Sequence, residues 1–261
     1  MMRWNPSRYG QYASERSTPF FDLIAHLDAA APRRVVDLGC GPGTLTAILA
    51  ERWPDAEVVG VDSSREMLEA ARELPDPPAN LSFQQLDIND WAPGPADDVV
   101  VTNAALQWVP NHVELIERWL PQLPDGAWFA MQVPGNFRSR SHSIMREVAE
   151  SDTWHARLSA VLRPVDVVAE PDDYLTQLLD ADFAATAWET TYLHVLHGDD
   201  PVLDWVRGTW LRPILGALNT DESAAFEAEL GERLRTAYPA GRHGTVYPFR
   251  RLFAVGVKGS R

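Results

Sequence analysis

The sequence is short of most features that would mark a secreted, metal-bound or nucleic-acid-binding chain. A single cysteine, Cys40, stands among 261 residues, which excludes an internal disulfide and any cysteine-rich metal site. No apolar run approaches roughly 18 residues, so no membrane-spanning helix is expected. The opening stretch, MMRWNPSRYG, lacks the basic-then-apolar layout of a secretory leader. Positive charge is scarce, with 23 Lys and Arg against 37 Asp and Glu and a net charge of −14. Broad contact with nucleic acid or an anionic bilayer needs a basic face, so neither partner is expected. A small anionic ligand stays open, because salt screens charges beyond roughly 8 Å and a local arginine cluster then outweighs distant acids. These absences predict a soluble, cytoplasmic protein. The length suits one sizeable α/β domain with insertions, or two small domains.

What is present is alternation. Arg34–Leu38 reads as a strand, followed by a glycine turn and a helix to about Arg52. EVVGVD (Glu57–Asp62) is a second strand, and SSREMLEAARE is a helix with Ser63 or Ser64 as its cap. SFQQLD (Ser82–Asp87), DVVVTNA (Asp98–Ala104) and GAWFAMQV (Gly126–Val133) are further strands, with a helix over HVELIERWLPQL. This order predicts a doubly wound parallel sheet flanked by helices. Helical patterns over Ser139–Val161, PDDYLTQLLDADF, Pro201–Leu218 and Asp221–Tyr238 follow, with strands over ATAWETTYLHVL and TVYPFRRLFAVGVKG. The whole chain, 1–261, reads as one α/β domain. Residues 1–32 form an N-terminal cap segment and 33–133 the ligand-binding core, with 139–165 and 199–238 as helical lid insertions.

The chemistry is concentrated in VVDLGCGPGT, Val35–Thr44. A Walker A loop needs a Lys-Ser/Thr pair after its last glycine, and none is there. The glycines Gly39, Gly41 and Gly43 are spaced G-x-G-x-G, not the G-x-G-x-x-G of a dinucleotide fingerprint. Asp37 would repel a pyrophosphate but would bind an amino group through a charge-assisted hydrogen bond worth roughly 1.5–3 kcal/mol. Asp62 ends the second strand, where an acid can grip two ribose hydroxyls or simply cap a helix. Asp87 ends the third, where a carboxylate can accept from an adenine amino group. A nucleoside carrying an ammonium and no phosphate fits all three acids, and S-adenosylmethionine is such a ligand.

DLGCGPG, VVGVDSS and QQLDIND resemble three motifs of the class I S-adenosylmethionine-dependent methyltransferases, a likeness covering residues 33–133. The resemblance implies a Rossmann-like sheet and assigns cofactor contacts to Asp37, Gly39, Gly41, Pro42, Gly43, Asp62 and Ser63. It further implies that Met67 lies near the adenine, that Ile88 follows the adenine-binding Asp87, and that Asn103 and Ala104 line the methionine end. WNPSRYGQYASERSTPFFDLI, NAALQWV, QVPGNFRSRSHSIMREVA, WLRPIL and FRRLF extend the likeness along the chain to the trans-aconitate 2-methyltransferase family. That family implies esterification of one carboxylate of a small polycarboxylate, giving a monomethyl ester and S-adenosylhomocysteine.

NAALQWV (Asn103–Val109) lacks the Asn/Asp-Pro-Pro-aromatic motif of an N-methyltransferase. None of the seven histidines has ligand spacing except His194 and His197, which point to opposite faces of a strand, so no metal is expected. No nucleophile–base pair stands out, and a carboxylate acceptor, ionised at pH 7, requires none. A polycarboxylate asks for cationic forks, for which arginine is best suited. Arg212, beside Trp210 and before Pro213, leads the candidates, though a surface arginine packing its stem is the alternative. Arg16, Arg138, Arg140 and Arg250 or Arg251 are the others; Arg16 could equally pair with Glu15 or Asp22. Gln107 could orient a carboxylate, and Trp108 could wall the transfer site or sit in the core. His142 could hydrogen-bond the substrate or serve as a cap or surface residue. Tyr9 and Gln11 could fold over the cofactor or pack. Two other functions remain open: carboxyl methylation of a carrier-bound malonyl group, and non-catalytic S-adenosylmethionine binding. Oligomeric state is not readable.

Overall fold

The computed structural model describes residues 13–162, 167–208 and 210–259, with the side chains of residues 13–16 outside that description. The helix α1 (Ala13–Ile24) precedes β1 (Arg34–Leu38), α2 (Thr44–Arg52), β2 (Glu57–Asp62), α3 (Arg65–Arg72) and β3 (Leu81–Gln85). Then come β4 (Asp97–Asn103), α4 (His112–Trp119) and β5 (Trp128–Pro134). The remainder is α5 (Arg140–Ala149), α6 (His155–Leu158), α7 (Pro171–Asp180), β6 (Phe183–Leu196), α8 (Pro201–Arg207), α9 (Leu211–Ala217), α10 (Thr220–Ala237) and β7 (Thr245–Lys258).

One sheet holds the strands in the order β3-β2-β1-β4-β5-β7-β6. Neighbours among β1 to β5 run parallel, and β7 runs antiparallel to β5, so the sheet is mixed rather than the parallel one expected. The long final strand follows α8, α9 and α10 and pairs antiparallel with β5, from Trp128 with Val257 to Pro134 with Arg251. The apolar run of β4 is explained by burial on both faces. On one face Val36, Val59, Val100 and Phe129 pack under Trp119 of α4 and Tyr174 of α7. The period of two turns Asp37, Val101, Asn103, Ala130 and Gln132 to the opposite face, where α1 lies against β5. Trp188 stacks on Phe253 there at 4.8 Å.

Chain contacts divide the protein into two compact units. The first holds the described residues up to Pro134, Val168–Thr190 and those from Arg251 onward. The second holds the described parts of Gly135–Val167 and Thr191–Arg250, which include both expected insertions. In the second unit α10 packs against α5 and α8. An Asn219–Glu222 capping box starts α10, and Ser141 joins its backbone N–H to the Tyr238 hydroxyl at 2.9 Å.

Several element boundaries differ from expectation. The third strand stops at Gln85, because the Asp87 carboxylate turns back to accept from the Asn89 N–H at 2.8 Å and starts a 3-10 turn. The helix expected over Ser139–Val161 breaks after Ala149, at a Ser-Asp-Thr run whose side chains compete with helical hydrogen bonding. The one expected over Pro201–Leu218 ends first at Arg207, with Gly208 as its cap. Pro121 converts the end of HVELIERWLPQL to a 3-10 turn.

Candidate cofactor site

Beyond β1 the chain passes through Gly39, Gly41 and Gly43 with φ of 79°, 55° and 77°. A side chain at Gly39 would place its Cβ 2.2 Å from the Cβ of Ala105, so the loop can lie this close to the end of β4 only without one. Ile88 borders the same spot at 3.8 Å. At Gly41 nothing lies within 4 Å, which leaves the loop's outer side open to a ligand. The Gly39 and Cys40 N–H groups both donate to the Val61 carbonyl, at 2.7 and 3.0 Å, tying the loop to β2.

Asp62 completes that tie. One carboxylate oxygen accepts from the Gly41 N–H at 2.9 Å and the other from the Ser64 N–H at 2.8 Å. Ser64, not the exposed Ser63, caps α3 by accepting from the Met67 N–H. Burial raises the Asp62 pKa, and the backbone N–H groups hold it down in part. Each oxygen has capacity for a second donor, so capping and ribose binding are compatible uses of one carboxylate. Asp62→Asn is expected to lower stability by about 1–3 kcal/mol, because one backbone N–H must then face an amide NH2. Denaturant unfolding at pH 7 measures it.

Asp37 is 3% exposed and accepts from the Thr46 hydroxyl at 2.7 Å. Its pKa is pushed up to about 6, chiefly by burial; the Thr46 bond opposes the rise and the charge of Asp62 adds to it. A buried carboxylate so placed gains from an incoming cation. Met67 and Ile88 are buried, Pro42 is half-buried and Asp87 is exposed. Asn103 is half-buried with its Oδ1 lacking a hydrogen-bond partner, and Ala104 holds a left-handed φ of 53°. Gly39, Asp62, Ile88 and Ala105 thus border one loop, with Asp37 at its root. Together they suit a cationic nucleoside: an acid at the strand end for ribose, a buried acid for an ammonium, and open space beside Gly41.

The acceptor-side candidates are more scattered. Gln107 is buried and donates to the Ala104 carbonyl at 2.5 Å, while its Oε1 has no partner. Trp108 is partly exposed. His142 and Arg212 belong to the second unit. His142 is 3% exposed, which corrects a surface role. Its Nδ1 lies 3.0 Å from the Ser139 hydroxyl and its ring packs edge-on against Phe137 and Trp210. Burial, and then the charge of Arg146, push its pKa down to about 3, so it is neutral at physiological pH. Arg212 is half-buried near the start of α9, and Arg140 is engaged by Glu147 at 3.1 Å. Tyr9 and Gln11 lie outside the described residues, as does the side chain of Arg16. Among the described residues no group of three His, Cys, Asp or Glu could hold a metal ion, and no helix is long and apolar enough to cross a membrane.

One polar residue, Gln132, escaped the sequence reading, and its partner is Arg251, one of the arginine candidates. Gln132, 1% exposed, lies near the C-terminal end of β5 and Arg251, 6% exposed, midway along β7, and the Arg251 Nη1 donates to the Gln132 Oε1 at 3.4 Å. The signal for Gln132 was a lone amide in the otherwise apolar strand WFAMQV.

Residues 35–126 match a family model described as a methyltransferase domain. Trans-aconitate 2-methyltransferase of Rhodococcus jostii is 52% identical over 97% of this chain and 98% of its own. The enzyme of that name from Streptomyces coelicolor is 49% identical over 98% of this chain and 86% of its own. Among solved structures, the YcgJ protein of a Bacillus has a TM-score of 0.56 at 16% identity, covering 92% of this chain and 98% of that one. Phosphoethanolamine N-methyltransferase 2 of Haemonchus contortus, solved with S-adenosyl-L-methionine, has a TM-score of 0.53 at 14% identity, covering 92% and 52%. These structures share the fold, and the curated relatives share the sequence from end to end. The chain belongs to the trans-aconitate 2-methyltransferase family, within the Rossmann-like class I methyltransferases.

Proposed function

We propose that the protein transfers a methyl group from S-adenosylmethionine to one carboxylate of trans-aconitate, leaving the monomethyl ester and S-adenosylhomocysteine. The observation that carries this reading is the near-full-length likeness to relatives named for that reaction, at about half identity. The glycine loop supports it, since its two acids and open outer side match the charge and bulk of that cofactor.

S-adenosylmethionine supplies an electrophilic methyl on a sulfonium sulfur. Asp62 accepts from the ribose hydroxyls, and Asp87, Ile88 and Met67 hold the adenine. Asp37, Asn103 and Ala104 hold the methionine end, with Gly39, Gly41, Pro42, Gly43 and Ser63 shaping the cradle. No side chain is assigned to move a proton, because the acceptor carboxylate is ionised at neutral pH. Catalysis rests on holding the acceptor in line with the methyl, an effect worth roughly 7–11 kcal/mol in favourable cases.

Arg212 supplies a cation to the acceptor, Gln107 and Trp108 border it, and the neutral His142 offers a dipole rather than a charge. Tyr9, Gln11 and Arg16 are further candidates for binding the acceptor. Arg212→Ala is expected to raise the acceptor KM about 10–100-fold with the cofactor Kd unchanged, as loss of a charge-assisted hydrogen bond dictates. Equal effects on both would remove Arg212 from the acceptor site. The reading as a whole is tested by steady-state kinetics with trans-aconitate against a malonylated carrier protein. Turnover of the free acid is the expected result; turnover of the carrier alone overturns the substrate assignment.

A further inference from the structure

The C-terminal ends of β4 and β5 and the middle of β7 carry a polar row of which the cofactor contacts proposed above use only Asn103. Asn103 pairs in register with Gln132, and Arg251 stands across from Pro134, two residues further along β5. The period of two places all three on the face of the sheet that also carries Asp37. Gln132 lies in a strand whose other six residues are apolar, and it is 1% exposed. Its Nε2 has no hydrogen-bond partner, although buried amide groups are nearly always satisfied.

Arg251 dictates which way that amide points. A guanidinium only donates, so the group facing it must be the carbonyl oxygen, as the 3.4 Å contact to Oε1 records. Turning the amide over would set an NH2 against a buried cation. The NH2 is therefore held on the side away from Arg251, toward the neighbouring strand β4, which ends in Asn103. Gln107, the residue expected to orient a carboxylate, instead has a donor committed to the Ala104 carbonyl and presents an unpartnered oxygen, which a carboxylate would avoid.

We propose that Gln132 is a specificity-determining residue for the acceptor, donating through Nε2 to a substrate carboxylate, and that Arg251 is its positioning residue. This rests on the carboxylate reading above. The pair selects for an anionic oxygen in the acceptor: the fixed donor rewards a carboxylate, and the buried charge behind it disfavours a cationic acceptor. The methionine end of the cofactor meets Asp37 and Asn103, two strands and one strand away, which leaves Gln132 to the acceptor.

The test is Gln132→Glu. The replacement is isosteric and forms an ion pair with Arg251, so a purely structural role predicts an unchanged enzyme. Our assignment predicts loss of the donor and gain of a repelling charge, with the acceptor KM up about 100-fold and the Kd for S-adenosylhomocysteine within twofold. Gln132→Leu, which removes the donor without adding charge, is expected to raise KM about 10-fold and decides the matter if the glutamate variant does not fold. Arg251→Lys, which retains the charge but loses the planar fork, is expected to raise KM less than either, with kcat at saturation retained. An unchanged KM in both Gln132 variants, or a cofactor Kd that rises in parallel, overturns the inference. Wild-type protein that methylates no carboxylic acid would instead defeat the functional reading, and the inference with it.

Discussion

Gly39→Ala is expected to abolish measurable cofactor binding and to lower the melting temperature by about 10 °C. Two effects add. The residue holds a φ of 79°, which a side chain disfavours by roughly 1–2 kcal/mol. The new Cβ would also stand 2.2 Å from that of Ala105, so backbone must move, for a combined loss of about 3–5 kcal/mol. At a few degrees per kcal/mol for a chain of this size, the shift is well within calorimetric reach. The movement falls on the loop that Asp62 clamps through the Gly41 N–H, so ligand affinity suffers more than stability. Gly39→Ala with Ala105→Gly relieves the collision but not the dihedral, and should recover part of the stability. Gly41→Ala separates the two roles. It meets no protein atom within 4 Å, so its loss of binding should exceed its loss of stability.

Asp37→Asn is expected to make the empty protein more stable and the cofactor complex weaker. The folded chain holds the Asp37 proton with a pKa of about 6, against an ordinary 3.8, so it binds that proton more tightly than the unfolded chain does. Its contribution to stability is therefore full below about pH 4 and is lost as pH rises to about 6. Above pH 6 the ionised, buried carboxylate costs about 3 kcal/mol, roughly two pKa units at about 1.4 kcal/mol each. Asparagine keeps an acceptor for Thr46 and removes that cost, raising the melting temperature at pH 7 by about 6 °C. The same substitution removes the anion that meets the cofactor ammonium and should weaken binding about 10–100-fold. Wild-type affinity should strengthen about tenfold between pH 5 and pH 7, as Asp37 ionises, and the variant should be flat. Calorimetric titration across that range checks both.

Much of this site was legible in the sequence because its parts are local. Glycines that must turn left-handed, and acids that end short apolar runs, identify themselves within a few residues. Asp37 and Asp62 were found that way, and the structure joins them to one loop. Asp87 was placed at a strand end, yet its carboxylate starts a 3-10 turn through Asn89, a local competition that periodicity does not see. The antiparallel β7 and the pairing of Arg251 with the end of β5 depend on residues about 120 apart, which no local pattern reveals. For the same reason Gln132 passed as one polar residue in a buried strand. His142 was misjudged because a histidine flanked by serines and arginine reads as surface, whereas Phe137 and Trp210 enclose it.

The most direct test of the account is incubation of the purified protein with methyl-labelled S-adenosylmethionine and trans-aconitate, following label into a base-labile ester. The account predicts labelled monomethyl ester in amounts stoichiometric with S-adenosylhomocysteine, and none from the Gly39→Ala variant. Cofactor binding without label in any carboxylic acid would contradict it, and would leave a protein that holds S-adenosylmethionine but transfers nothing to a carboxylate.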